Sequence, residues 1–155
     1  MASVPGAEAT VEAANAAYYA AFEARDLDAM AEVWERSDRV AVTHPGWPTL
    51  HGWPRVAGSW DAIFANTAFI QFVLTDEAVH VSGTTAWVTC DENILQAGGS
   101  REGGEDLAEL QGGLVAATNV FVFDDGRWRM VLHHGSPVAT GESESDGQGG
   151  GESES

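Results

Sequence analysis

The chain holds a single cysteine, few basic residues and no apolar run near the length of a membrane span. Each scarcity excludes something. With Cys90 alone, no intrachain disulfide can form, and a reducing, cytoplasmic setting is expected. Lys and Arg number 7 against 24 Asp and Glu, a formal net charge of −17. Nucleic acids and anionic membranes need a basic footprint, so neither is an expected partner. A helix crossing a bilayer needs about 20 apolar residues in succession. The N-terminus has no basic region leading into an apolar core, so no secretory signal is expected. No nucleotide-binding glycine motif occurs, since Gly98-Gly99 and Gly103-Gly104 read as loop glycines, and no cofactor is expected.

What is present fits one α+β domain. The length of 155 residues suits one domain and is too short for two ordinary ones. A hydrophobic fraction of 44% can fill a core, and six Trp suggest a deep apolar interior or cavity. The stretch Gly112 to Pro137 reads as a hairpin: two β-rich runs, Leu114 to Phe123 and Arg127 to His134, flank Asp124-Asp125-Gly126. Alternation puts Val115, Ala117, Asn119, Phe121 and Phe123 on one face of the first run. In the second, Arg129, Val131 and His133 share a face, opposite Trp128, Met130, Leu132 and His134. Asn119 and His133 are polar exceptions on apolar faces, and such groups need a partner or a task.

Before the hairpin, Ala7 to Ala24 reads as a helix with Val11, Tyr18 and Phe22 on one face, which makes Tyr18 the inward tyrosine and Tyr19 the less buried one. Asp26 is a good N-cap for a second helix through Trp34. Val40 to Thr43 is a short strand running into His44-Pro45-Gly46, and Trp47 to His51 returns. A third helix starts at Pro54 and points Val56, Trp60, Ile63 and Phe64 inward. Phe69 to Leu74 and Ala78 to Ser82 read as strands, or as one bent strand. In Thr85 to Leu95, Trp87, Thr89, Asp91 and Asn93 share one face, and Val88, Cys90, Glu92 and Ile94 the other. Residues 1–6 are expected to be a loose arm, 7–138 the domain, and 139–155 a disordered acidic tail with nothing apolar to bury from Gly141 onward. Gln96 to Leu110 is expected to be a mobile loop.

The order of elements and several motifs resemble the SnoaL-like branch of the nuclear transport factor 2-like superfamily, over roughly residues 7 to 138. The most specific piece is ATNVFVFDDGRWRMVLHHGSP; Tyr18…Ala24-Arg25-Asp26-Leu27-Asp28, His44-Pro45 and Gly52-Trp53-Pro54…Trp60 support it. The resemblance implies a cone-shaped, cystatin-like fold: three N-terminal helices on a curved antiparallel sheet enclosing a pocket. It extends to ketosteroid isomerases, polyketide cyclases and calcium/calmodulin-dependent kinase association domains. By that likeness Tyr18 matches an oxyanion-hole tyrosine, His44 stands where the isomerases have a catalytic Asp before Pro, and Asn119 stands where they have a protonated Asp. Trp60 matches a pocket aromatic. The arginines of the kinase-association pocket correspond to Asn119 and Gly135.

The resulting expectation is a pocket lined by Tyr18, His44, Trp60, Trp87, Asp91, Asn119, Phe121 and His133, taking a small apolar or polyketide- or steroid-like ligand. As an isomerase, cyclase or hydratase, the chain would use His44 as general base, with Tyr18 and Asn119 stabilising an enolate-like oxygen. As a non-catalytic domain, it would bind a ligand or oligomerise. Asp91 either orients His44 or forms a buried pair with Asn119; the sequence leaves both open. No metal site is assigned, because His133 and His134 face opposite ways on a strand. His80 reads as structural or exposed, His51 as a residue of the mouth, and Cys90 as an inert buried thiol. A homodimer is expected through Val120, Val122, Trp128, Met130 and Leu132 on the convex face.

Overall fold

A computed structural model describes residues 4–99 and 110–139. Most of the expected arm, loop and tail therefore lies outside the described residues. Helix α1 spans Ala7–Ala24, α2 Leu27–Val33 and α3 Trp53–Ala65. The strands are β1 Ala41–Thr43, β2 Leu50–His51, β3 Thr67–Ser82, β4 Thr85–Gly98, β5 Gln111–Asp124 and β6 Arg127–Pro137. They form one six-stranded sheet in the order β2-β1-β6-β5-β4-β3. The sheet is mixed rather than wholly antiparallel, because β1 pairs with β6 in parallel, Val42 opposite His133.

Local chemistry sets the boundaries. Arg25 ends α1 in the left-handed conformation at φ 51°, with its backbone N–H returned to the last turn. Asp26 then caps α2 by accepting the Ala29 N–H at 3.1 Å. Pro54 sits in the first turn of α3, where no N–H is required. The β5–β6 hairpin turns on two residues, Asp125 and Gly126, at φ 54° and 85°. Two positive φ values in succession suit the right-handed twist of the strands they join, and Asp-Gly tolerates them.

Two β-bulges decide which side chains point inward. The β3–β4 register slips between Thr75 and Ala78, where Asp76 has φ 56°, so β3 is one bent strand. The β5–β6 register slips by one residue: Val120 faces Leu132, but Phe121 faces Met130, leaving Val131 without an opposite number. A one-residue slip moves every later side chain to the other face. Trp128 and Met130 are therefore buried on the same side as His133, not exposed beside Leu132 as plain alternation predicts.

The core lies between the inner sheet face and the helices, with Trp34, Trp60, Tyr18, Phe121 and Met130 fully enclosed. Helix α1 is covered on two sides, so both tyrosines are buried. Tyr18 packs against Trp60 and His133, and Tyr19 against Phe72. At the far edge of the sheet, the Phe72 N–H of β3 donates to a Glu23 carboxylate oxygen of α1 at 2.8 Å.

Candidate functional site

The inner face of the sheet carries a directional chain of polar side chains. It starts at Glu77, set beside the β3 bulge, whose Oε2 accepts from the Asn15 amide nitrogen of α1 at 3.3 Å. Asn15 Oδ1 accepts from Asn119 Nδ2 of β5 at 2.8 Å. Asn119 Oδ1 lies 2.6 Å from His133 Nδ1, its cross-strand partner on β6. Because an ionised carboxylate only accepts, each link has a fixed sense. His133 must donate from Nδ1, and Nε2 is left with its lone pair.

A branch leaves the same amide. Asn119 Nδ2 also donates to the Tyr19 hydroxyl at 3.2 Å, and Tyr19 donates to Glu92 Oε2 at 2.6 Å. Tyr19 stands four residues from Asn15, so one helix face serves both branches. Glu92 is 3% exposed on β4. Burial pushes its carboxyl up to about 7, and the bond from Tyr19 offsets only part of that. Burial likewise pushes the Tyr19 phenol well up, so it stays a donor. The Cys90 thiol, 3.6 Å from the Tyr19 oxygen, is pushed up to about 11 by burial and stays protonated.

His44 sits just past β1, between the rings of Trp47 and Trp60 at 4.9 and 4.7 Å. Its Nε2 lies 2.9 Å from Ser59 Oγ, which donates its one proton to the Val56 carbonyl at 2.7 Å. The imidazole therefore donates from Nε2 and keeps its lone pair on Nδ1. Burial lowers His44 to about 4. His133 is lowered to about 3 by burial first, then by His44 and His134. Both rings are neutral at physiological pH.

His44, His133 and Glu92 line one cavity of about 540 Å³, otherwise walled by residues such as Phe22, Ile70, Phe72, Ile94 and Leu114. A second concavity of about 490 Å³, between α1, α2 and the hairpin turn, has Glu32 and Arg127 as the charged groups among its described lining residues, and these pair with each other at 3.3 Å. Among the described residues, no cluster of three His, Cys, Asp or Glu is placed to hold a metal ion.

Several expected site residues stand elsewhere. Asp91 and Trp87 are on the outer face of β4, because Val88, Cys90 and Ile94 claim the inner one; Trp87 stacks on His80 at 5.5 Å. Glu92 holds the place expected for Asp91. Tyr18 is inward, but its hydroxyl has no partner among the described residues and it does not line the cavity; the tyrosine of the polar network is Tyr19. Asn119 is inward and central, yet both amide hydrogens are used by Asn15 and Tyr19, so it has none for an oxyanion. Trp60 and Phe121 are fully buried core behind the cavity rather than lining it. A lone carboxylate on an otherwise apolar strand face, Val88-x-Cys90-x-Glu92-x-Ile94, was the available sequence signal for Glu92.

A family model described as SnoaL-like domain matches residues 11–140. Among solved structures, a provisionally assigned dehydratase of the nuclear transport factor 2-like family from Streptomyces avermitilis is 41% identical, with 84% of this chain and 96% of that one covered at a TM-score of 0.77. A provisionally assigned calcium/calmodulin-dependent protein kinase type II association domain from Thiobacillus denitrificans is 36% identical over the same shares, at a TM-score of 0.66. A ketosteroid isomerase-like protein from Erwinia carotovora atroseptica has the fold at a TM-score of 0.69 but only 18% identity, over 86% of this chain and 97% of that one. The F-box protein SKIP8 of Arabidopsis thaliana is 30% identical over 122 residues, 79% of this chain and 47% of that protein. The chain thus spans about half the length of the curated relative it matches. With a family model matched from α1 past the end of β6, and neighbours of the same architecture, the chain belongs to the SnoaL-like domain family of the nuclear transport factor 2-like superfamily.

Proposed function

We propose that this domain binds a small apolar molecule in the cavity and moves a proton on it, as an isomerase, cyclase or dehydratase does. The observation that carries the reading is Glu92: a buried carboxyl at about 7, in the same apolar cavity as two neutral imidazoles. A group that titrates near the working pH exchanges its proton with least penalty in either direction. Glu92 is the general acid or base, and its Tyr19 hydrogen bond holds it in place. His44 is the second proton-transfer group, through Nδ1, since Ser59 and Val56 fix the other nitrogen. His133 orients substrate through Nε2. This replaces an oxyanion hole of Tyr18 and Asn119 with a carboxyl–imidazole pair. The likeness to a Streptomyces protein provisionally assigned as a dehydratase supports the same class of chemistry.

The test is turnover of a panel of small alicyclic β-hydroxy ketones, whose dehydration to enones is followed by ultraviolet absorbance. Wherever the wild type turns one over, Glu92→Gln should lower kcat by about 10²–10⁴, the usual share of a general acid or base. Retained kcat in both Glu92→Gln and His44→Gln would remove the proton-transfer roles of these two residues, and a wild type that binds members of the panel without turning any over would leave a binding domain.

A second feature favours self-association. On the outer sheet face Phe69, Val73, Trp87 and Leu95 are 37%, 59%, 37% and 39% exposed. Phe69, Val73 and Leu95 stand toward one end of the β3–β4 pair and Trp87, opposite Val120, toward the other; exposed apolar groups at both ends of the face suit a twofold pair of copies.

A further inference from the structure

We propose that the cavity selects an uncharged, hydroxyl-bearing apolar molecule, which donates hydrogen bonds to His44, His133 and Glu92 rather than accepting them. The inference rests on the reading of the cavity as a small-molecule site and narrows it to one ligand chemistry.

The argument is the sense of the hydrogen bonds. Glu77 can only accept, so Asn15 donates to it and accepts from Asn119; Asn119 in turn accepts from His133. The chain thus ends at His133 Nε2 with a lone pair and no proton. Ser59 has one proton and gives it to the Val56 carbonyl, so His44 ends at Nδ1 with a lone pair too. Glu92 accepts from the Tyr19 hydroxyl on Oε2 and lines the cavity; above about 7, where it is ionised, its other oxygen can only accept as well. Three cavity groups therefore present acceptors.

The donors that would favour the opposite ligand are missing from the described lining. No Lys or Arg is among the described lining residues. Trp47 and Gln96 have N–H groups, but both residues are exposed and stand at the rim. A carbonyl or carboxylate pressed among three acceptors loses its bonds to water and gains none. A hydroxyl can give its proton to any of the three. The walls are aliphatic and aromatic, so the rest of the molecule is apolar.

The test is binding to the full chain, by calorimetry in mildly alkaline buffer, of three probes with one ring system: naphthol, methoxynaphthalene and naphthoate. Naphthol should bind about tenfold or more tightly than methoxynaphthalene, the scale of one hydrogen bond lost on a buried partner. Naphthoate should be the weakest. Replacing His133 by Phe should erase the advantage of naphthol while methoxynaphthalene still binds; retained methoxynaphthalene binding also reports that the variant is folded. Equal affinity for naphthol and methoxynaphthalene, or tightest binding of naphthoate, overturns the ligand class and leaves the cavity as a small-molecule site. Failure of all three to bind overturns both.

Discussion

Glu92, His44 and His133 tie stability to pH in opposite senses. The folded carboxyl is raised from 4.5 to about 7, so between those values the folded chain holds a proton that the unfolded chain has released. Stability from this group is present below 4.5 and lost as pH rises through about 7, a scale of about 3 kcal/mol. The histidines are lowered from 6.5 to about 4 and about 3, so the unfolded chain takes up protons that the folded chain refuses. Their contribution is present above 6.5 and lost as pH falls. From 6.5 down to 4.5 two protons oppose one, and these three groups together cost about 1.4 kcal/mol per pH unit. Glu92→Gln removes the opposing proton, so the acid-side slope should double to about 2.7 kcal/mol per unit while the loss between 6.5 and 7 disappears. Urea denaturation at a series of pH values measures both slopes. An unchanged slope in the variant means that Glu92 is already ionised in the folded chain at acid pH.

At the level of elements, much was legible and the failures share a cause. Asp26 before an apolar stripe announced α2, Pro54 announced α3, and Asp125-Gly126 announced the hairpin, because caps and turns are set by residues a few positions apart. The parity of Asn119 on β5 also followed from alternation. Alternation says which residues share a face but not which face is inside, so Asp91 and Trp87 were expected in the cavity and Glu92 was not. The bulge at Val131 is set by pairing with β5 and leaves no mark in the local sequence, so Trp128 and Met130 were expected outside. Gly135 shows how tightly the elements are fitted: a Cβ there would meet Val115 Cγ1 at 3.1 Å and Pro45 Cγ at 3.3 Å. Gly135→Ala should therefore cost about 1–3 kcal/mol, as overpacking does. It should also shift the backbone next to His44. Thermal unfolding reads the first effect, and the His44 ring resonances in NMR read the second. A variant with wild-type stability and unmoved resonances would mean that Pro45 yields freely.

For the whole molecule, the proposed twofold pairing would use the outer sheet face. The apolar row expected there loses Trp128 and Met130 to the core and keeps Val120, Val122 and Leu132 as partly buried members. The strongly exposed residues are instead Phe69, Val73, Trp87 and Leu95 on β3 and β4. Sedimentation velocity at micromolar concentration should show a dimer, and Trp87→Asp, which puts a charge on that face, should shift it to monomer. A wild type that sediments only as monomer removes this assembly. The face matters more because the neighbouring edge is closed to a different kind of contact. Strand β3 is the last of the sheet, and its Phe72 N–H is already taken by the Glu23 carboxylate. A stray extended peptide seeking to prolong the sheet at that point would have to displace the half-buried Glu23 carboxylate from its hydrogen bond. At that position the carboxylate thus works against open-ended, fibre-like polymerisation, whereas a closed twofold pairing of faces would leave it untouched.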